Sequence, residues 1–347
     1  LSITCEKNLA NQKSSFFSEF IQDYYHIIDT DLGLSHCMVP RAATMSLLRF
    51  YLAIKNNNIL YLNGKYDHDS WNDYIIEDES IKRIYQIDDP IDQDQFLLDL
   101  FESEANKERY HSTMLVRHPF ERIFSLWNSI FPSSEVAKNE HLISYAKFID
   151  AHRIRSTDFD RDLYDFGGPM NISFATMANY LAQTNWDDIE EAPNTIAFAE
   201  LEIPFRTSQF FCSPCYAQYN YIAKVETFED DMLASYAKYF KNDRNLKLII
   251  KTLTKIEAKS KYLPSLRSYD NDAVVANAIM ASKKDGIKEG GRVTLDLLPN
   301  NLKDSQFTPA QIYFQRLSQF NPKLTLKLYK KYEWDFKLYG YSLEGYF

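Results

Sequence analysis

The sequence predicts an α/β fold in which a central parallel sheet is flanked by helices. Two segments carry this prediction. The short apolar stretch 34–39 is followed by a tight loop and then by helical periodicity from Met45 to Ile54. Residues 112–116 form a second short apolar stretch, and a helical pattern follows it through Phe131. Strand–loop–helix units of this kind build parallel sheets, and ligands bind at the carboxyl ends of the strands.

The other periodic segments complete the expected layout. Aromatic residues at helical spacing predict an N-terminal helical arm over residues 1–33, and a second aromatic pattern predicts a helix over residues 309–333. No internal repeat and no clean linker divides the chain. We therefore expect a single domain over residues 1–347.

Charge and hydropathy restrict the classes of function. The chain has 347 residues and a net charge of −9, which argues against a general nucleic-acid binder. No apolar run approaches the roughly 18 residues of a membrane span, and no signal peptide opens the chain. Because the sequence starts at Leu1 rather than at methionine, we expect a fragment of a longer protein.

Four cysteines allow two disulfides with three possible connectivities: Cys5, Cys37, Cys212 and Cys215. The segment Cys212–Cys215 has the spacing of half a zinc site or of a redox pair. A second such pair or a nearby pair of histidines is missing from the sequence, so we expect no metal site. The sequon at residues 171–173 is mild support for a lumenal setting.

The first candidate anion site is the loop after the first predicted strand. Its small residues let backbone N–H groups approach an anion, and the following helix presents its positive N-terminus. It is not a Walker A loop, because the Gly-Lys-Ser/Thr run is absent. The alternative is an ordinary capped helix after a strand. The candidate ligands are Arg41, Ala42, Ala43, Thr44, Met45 and Ser46.

The second candidate anion site follows the second predicted strand. Arg117 stands at the strand's end, and Ser125 lies about two turns along the next helix if Pro119 is near its first turn. Both side chains could reach one phosphate, which the planar fork of an arginine binds with two hydrogen bonds. A local salt bridge between Arg117 and Glu121 is the alternative explanation.

Taken together, these segments resemble the Golgi membrane-bound carbohydrate sulfotransferases, and the chondroitin, dermatan and HNK-1 sulfotransferases most closely. The family's two cofactor motifs, Cys-x-x-Pro-Lys and Val-Arg-x-Pro-Phe-Glu-Arg-x-x-Ser, correspond to CMVPR at 37–41 and VRHPFERIFS at 116–125. Further matches are CSPC at 212–215, YNYIAKVET at 219–227 and YEWDF at 332–336. The resemblance runs in collinear order over nearly the whole chain. It departs at Arg41, where the family has lysine, and at Pro204 and Phe205, where it often has His-Trp.

The resemblance implies a carbohydrate O-sulfotransferase with a P-loop-like fold and one catalytic domain. The donor would be 3′-phosphoadenosine 5′-phosphosulfate (PAPS), and the product 3′-phosphoadenosine 5′-phosphate (PAP). The acceptor would be a glycan or proteoglycan, of the chondroitin/dermatan N-acetylgalactosamine 4-O type or related, with no nucleic-acid partner. The enzyme would work in the Golgi lumen on a type II membrane anchor that precedes this chain. The four cysteines would form structural disulfides, in a pairing that stays open.

The resemblance also implies roles for single residues. Arg41 and the loop N–H groups would hold the 5′-phosphate and the moving sulfuryl group, and Arg117 and Ser125 would hold the 3′-phosphate. Lys224, in the YNYIAKVET segment, would be a further cofactor contact. His68, between two aspartates, is the candidate catalytic base, and a surface histidine in an acidic loop is the alternative. Four arginines could line the acceptor cleft or be ordinary surface charge: Arg153, Arg155, Arg161 and Arg206.

Two other functions remain open. A catalytically silent relative would bind nucleotide or glycan without transfer, and the changes at Arg41 and Pro204 motivate this hypothesis. A small-molecule or nucleoside kinase-like enzyme would share the anion loop, but the missing Walker lysine argues against it.

Overall fold

The structure is a computed structural model. It describes residues 26–29, 32–44, 47, 51, 103, 109–131, 140–150, 172–184, 203–212, 214–217, 219–239 and 307–347. The chain divides into two compact units. The first comprises Leu1–His118, Thr207–Ser265 and Lys337–Tyr339, and the second comprises Pro119–Arg206, Leu266–Phe336 and Gly340–Phe347. The single-domain organisation over residues 1–347 stays a prediction.

The described strands form one four-stranded sheet, which belongs to the first unit. They are β1 (His26–Asp29), β2 (Leu34–Met38), β3 (His111–Val116) and β4 (Tyr221–Lys224), in the order β1-β2-β3-β4. β1 is antiparallel to β2, whereas β2, β3 and β4 are parallel. All residues of β2 and β3 are buried, as expected for parallel strands covered on both faces. The expected mixed α/β architecture, with a small parallel sheet flanked by helices, is confirmed.

The described helices follow in chain order. They are α1 (Pro119–Ile130), α2 (Glu140–Asp150), α3 (Phe174–Gln183), α4 (Ser208–Cys212), α5 (Pro214–Ala217), α6 (Phe228–Tyr239), α7 (Pro309–Phe320), α8 (Pro322–Lys331) and α9 (Glu333–Tyr339). Two short 3-10 helices span Ile203–Phe205 and Val225–Thr227. The strand–loop–helix unit predicted around residues 112–116 is present. Of the helix predicted from Met45 to Ile54, Leu47 and Tyr51 are helical, and the other residues lie outside the described ones.

The helical arm predicted over residues 1–33 is wrong at His26–Asp29, which form β1. The β-branched side chains of Ile27 and Ile28 favour an extended backbone, and this short segment pairs with β2. Gly33 has a φ of 64°, a left-handed conformation that suits the turn between the two strands. The rest of the predicted helix, over residues 1–25, lies outside the described residues.

The helix predicted over residues 309–333 is interrupted in the structure. α7 ends at Phe320. The side chain of the next residue, Asn321, accepts a hydrogen bond from the backbone N–H of Leu324 and so caps α8. Pro322 is the first residue of α8, where the missing N–H of proline costs no hydrogen bond. The prediction followed the apolar periodicity, which continues across the break, and missed the Asn-Pro cap.

Aromatic side chains from several helices form the core of the second unit. Phe120 of α1 stacks on Phe314 of α7 with ring centroids 3.9 Å apart, and the rings of Phe336 and Tyr346 meet it edge-on. Trp127 lies further along α1, and its indole N–H donates to the carbonyl of residue 172 at 2.9 Å. This core fixes α1 within its unit.

Candidate functional site

Three parallel strands end at the same edge of the sheet in the first unit. Met38 of β2 is in register with Leu115 of β3, and Val116 of β3 is in register with Lys224 of β4. Neighbouring strands lie about 4.8 Å apart. The segments that follow these strands therefore start side by side. This edge is where α/β proteins bind their ligands.

The loop after β2 has a strained backbone. Arg41 has a φ of 63° and Ala43 a φ of 51°, whereas Ala42 between them is not in the positive-φ region. A non-glycine residue in the left-handed region costs about 1–3 kcal/mol, and such residues cluster at ligand sites. Backbone conformations that alternate in this way form concave nests of N–H groups that bind anions. The role of this loop as an anion site stays a prediction.

Hydrogen bonds fix this loop and begin a helix. The N–H of Ala42 and the hydroxyl of Thr44 both donate to the carbonyl of Val39, at 3.0 and 3.3 Å. The N–H of Leu47 donates to the carbonyl of Ala43 at 3.0 Å, which is the first helical bond. Ala42 and Ala43 are buried. Met45 and Ser46, also predicted as ligands, lie outside the described residues.

Arg117 connects the loop after β2 with the end of β3. Its side chain is 1% exposed, and its Nη1 donates to the carbonyl of Arg41 at 3.4 Å. Arg117 therefore supports the left-handed turn in addition to carrying a positive charge. The next residue is bonded to the 3-10 helix that follows β4, because the N–H of His118 donates to Oε1 of Glu226 at 2.9 Å. The structure thus brings Arg41 and Arg117 together.

Asp231, in the first turn of α6, organises the end of β4. One of its carboxylate oxygens accepts hydrogen bonds from the Lys224 N–H at 2.7 Å and from the Thr227 hydroxyl at 2.6 Å. The other accepts from the Tyr221 hydroxyl at 3.0 Å. No motif in the sequence singles out Asp231. An acidic residue in the first turn of a helix that follows a strand is the signal that could have indicated it.

The charges around the three strand ends are unequal. The segment 40–46 has an arginine and no acidic residue, whereas the segment 226–231 (ETFEDD) has four carboxylates. Anions are attracted to the first segment and repelled by the second. The ends of β2 and β3 are therefore the favourable side for a phosphate or sulfate group.

Comparison with known families agrees with this geometry. The model of the sulfotransferase family matches residues 24–279. This chain belongs to the sulfotransferase family. No curated protein and no solved structure matches it. The matched range includes all four strands of the sulfotransferase sheet and the loops after them, whereas α7, α8 and α9 lie beyond it.

Ser125, the second predicted 3′-phosphate ligand, lies on α1 in the second unit and is 3% exposed. Arg41, Arg117 and Lys224 belong to the first unit. The grouping of Ser125 with Arg117 in one site stays a prediction.

The charged residues between Arg117 and Ser125 have structural partners in the second unit. The carboxylate of Glu121 is buried and accepts hydrogen bonds from the hydroxyls of Thr308 and Tyr346. Arg122 is fully buried. Its guanidinium donates to the carbonyls of Pro204 and Arg206 and lies 3.8 Å from the carboxylate of Asp335.

The segment around Pro204 and Phe205 is part of the core of the second unit. The carbonyl of Pro204 accepts from Arg122 at 2.9 Å, and the carbonyl of Phe205 accepts from the hydroxyl of Tyr332. Both contacts use the backbone. Phe205 is 0% exposed, and burial raises the pKa of Tyr332 well above that of a free phenol. Residues 203–206 therefore serve packing in this chain.

The cysteine pairing left open by the sequence is resolved in part. Cys37 of β2 and Cys212 of α4 form a disulfide, with Cα atoms 5.8 Å apart. Cys215 is also disulfide-bonded. The bridge ties α4 to the strand that leads into the anion loop.

Several other predicted residues lie outside the described part of the chain: His68, Arg153, Arg155 and Arg161. Arg206 is 6% exposed, so its side chain is buried. Within the described ranges, no group of His, Cys, Asp and Glu residues could hold a metal ion. No helix in the same ranges is long and apolar enough to cross a membrane.

Proposed function

We propose that this sulfotransferase transfers the sulfuryl group of PAPS to a glycan hydroxyl, of the chondroitin/dermatan N-acetylgalactosamine 4-O type or a related one. The observation that carries the proposal is the hydrogen bond between Arg117 and the carbonyl of Arg41 at the carboxyl edge of the sheet. It joins two basic residues on adjacent loops. PAPS carries anionic groups at two positions, and two neighbouring anion sites suit such a donor.

The residues present fit this donor. The alternating backbone of Arg41 and Ala43 offers N–H groups to a 5′-phosphate and to the sulfuryl group next to it. The guanidinium of Arg117 offers a planar fork to the 3′-phosphate, with Ser125 as its second ligand. Lys224, the last residue of β4, adds a third positive charge beside them.

The chain's own residues would assist an in-line displacement. PAPS supplies the sulfuryl group. His68 takes the proton of the attacking hydroxyl as an S–O bond forms to the acceptor oxygen and the S–O bond to the 5′-phosphate breaks. Arg41 stabilises the negative charge that spreads over the sulfuryl and phosphate oxygens. An arginine does not readily release a proton, so Arg41 acts by charge and not as an acid.

The setting follows from the same proposal. The enzyme acts on a glycan or proteoglycan in the Golgi lumen and is held to the membrane by a type II anchor outside this chain. The disulfide between Cys37 and Cys212 supports an oxidising compartment. A catalytically silent relative that binds nucleotide or glycan is the second candidate, favoured by Arg41 in place of the family's lysine.

Thermal melting with nucleotides tests the donor site. PAP at about 100 times its Kd stabilises the fold by roughly 2.7 kcal/mol, which raises the Tm by several degrees. ADP and AMP lack the 3′-phosphate and shift the Tm much less. Arg117→Ala abolishes the PAP shift, whereas Lys327→Ala, an exposed basic residue on α8, keeps it. A chain that no nucleotide stabilises would rule out the proposal, and a larger shift with ATP would favour a kinase-like enzyme.

Transfer of labelled sulfate separates the active enzyme from the silent relative. We expect label from PAPS on chondroitin or dermatan acceptors with the wild type, and loss of label with His68→Ala. A chain that binds PAP but labels none of a panel of glycans is the silent relative.

A further inference from the structure

Asp231 accepts three hydrogen bonds from one short stretch of chain, residues 221–227. The donors are the Tyr221 hydroxyl at the start of β4, the Lys224 N–H at its end, and the Thr227 hydroxyl in the next turn. A carboxylate bonded in this way fixes the strand, the turn and the first turn of α6 relative to one another. Hydrogen bonds to a charged acceptor are roughly twice as strong as neutral ones.

Lys224 is held in this arrangement by its backbone N–H, which donates to Asp231. It is in register with Val116, the residue before Arg117, and it is the last residue of β4. It also precedes the 3-10 helix Val225–Thr227, and its own side chain makes no capping bond to that helix. The bond to Asp231 holds the backbone at the point where β4 ends. That bond sets where the side chain of Lys224 leaves the sheet.

Asp231 itself is unsuited to contact the donor. Its carboxylate is negative, as are both phosphates of PAPS, and like charges repel at short range. Its oxygens already accept bonds from three donors. An effect of Asp231 on donor binding must therefore pass through the residues it holds.

We propose that Asp231 is a positioning residue of the donor site and acts through Lys224. The proposal rests on the function proposed above, with Lys224 as a donor contact. Substituting Asp231 is expected to weaken PAP binding by releasing Lys224, without any contact between Asp231 and the nucleotide. The neighbouring Asp230 is exposed. The three hydrogen bonds that hold residues 221–227 are all made by Asp231.

A double-mutant cycle tests this role. Asp231→Asn is expected to raise the Kd for PAP about tenfold, and Lys224→Met to raise it by a similar factor. If Asp231 acts through Lys224, the double variant binds no more weakly than Lys224→Met alone. Asp230→Asn, a matched change one residue away that removes the same charge, does not raise the Kd. Thr227→Val removes one donor and keeps the carboxylate, so it gives a smaller increase and serves as the milder variant if Asp231→Asn folds poorly.

A second readout needs no nucleotide. Hydrogen exchange at the Lys224 amide is expected to be faster in Asp231→Asn than in Asp230→Asn, at equal global stability. If the two substitutions act independently, their factors multiply in the double variant, which then has a higher Kd than Lys224→Met alone. That result would overturn the role of Asp231 and leave the proposed function intact. Unchanged exchange at the Lys224 amide would overturn it as well. Absence of PAP binding in the wild type would overturn the proposed function and this role together.

Discussion

Replacing Arg122 by methionine should destabilise this protein without weakening its affinity for PAP. Arg122 belongs to the motif that contains Arg117, but its partners are structural. Its guanidinium donates to the carbonyls of Pro204 and Arg206 and faces the carboxylate of Asp335, which is 1% exposed. Arg122→Met removes two donors and leaves the Asp335 charge buried without its cation.

The expected loss is large because both charges are buried. Removing one partner of a buried ion pair costs about 3–5 kcal/mol, out of a total stability of about 5–15 kcal/mol for a typical protein. With a urea m-value near 3 kcal/mol/M, the midpoint falls by about 1 M or more. Lys327→Met, an exposed change on α8, is the control and should leave the midpoint within about 0.2 M.

A double variant sharpens the test. Arg122→Met with Asp335→Leu replaces both charges by apolar groups, and such replacements are often neutral. It should recover much of the stability that Arg122→Met loses, although two carbonyls still lack their donor. If Arg122→Met unfolds at the same urea concentration as Lys327→Met, the buried pair of Arg122 and Asp335 does not stabilise the fold. If the folded Arg122→Met protein loses PAP affinity while Asp335→Asn keeps it, Arg122 is an anion ligand.

Three further outcomes follow from other contacts. Replacing both Cys37 and Cys212 by alanine should lower the free energy of unfolding by about 2–5 kcal/mol, because the bridge closes a separation of 175 residues; an unchanged urea midpoint would contradict this. Phe120→Ala should cost about 3–5 kcal/mol in urea unfolding, whereas Phe347→Ala, at a residue 52% exposed, should cost little. Burial raises the pKa of Tyr236 and Tyr332 above the free value, so the folded chain keeps phenol protons that the unfolded chain releases above about pH 10. The stability is full below that pH and falls as the pH rises beyond it; urea midpoints from pH 8 to 11 should show the fall, with a shallower slope in Tyr236→Phe.

The strands differ in how far their sequence reveals them. β2 and β3 are buried on every residue, and their apolar runs indicate both strands from the sequence alone. β4 has four residues of which three are only partly buried, so its pattern is weak. β1 is also four residues long, and its extended conformation is stabilised by antiparallel pairing with β2. Short strands are specified by partners that the local sequence does not contain.

The same distinction applies to the site. Arg41 and Arg117 stand directly after buried strands, so a strand–loop–helix pattern was enough to indicate them. The roles of Glu226 and Asp231 depend on which backbone groups lie opposite them, here the N–H groups of His118 and Lys224. The first contact joins residues 108 positions apart, across the neighbouring ends of β3 and β4, whereas the second joins residues only seven positions apart. A strand–loop–helix pattern therefore indicates candidate ligands, whereas a contact between distant residues, such as that of Glu226 with His118, is not visible in the local sequence.

The motif at residues 116–125 illustrates why a match to a family motif does not assign a role to each of its residues. The chain passes from the first compact unit to the second between His118 and Pro119, within this motif. Arg117 lies at the edge of the sheet and bonds the strained loop at Arg41. Arg122 bonds carbonyls and a carboxylate in the second unit. The two arginines are equally buried and five residues apart, so burial alone cannot distinguish an anion ligand from a structural cation. Their contacts differ: Arg117 donates to the carbonyl of Arg41, whereas Arg122 lies 3.8 Å from the carboxylate of Asp335. Comparing Arg117→Ala with Arg122→Met therefore separates donor binding from stability within one motif.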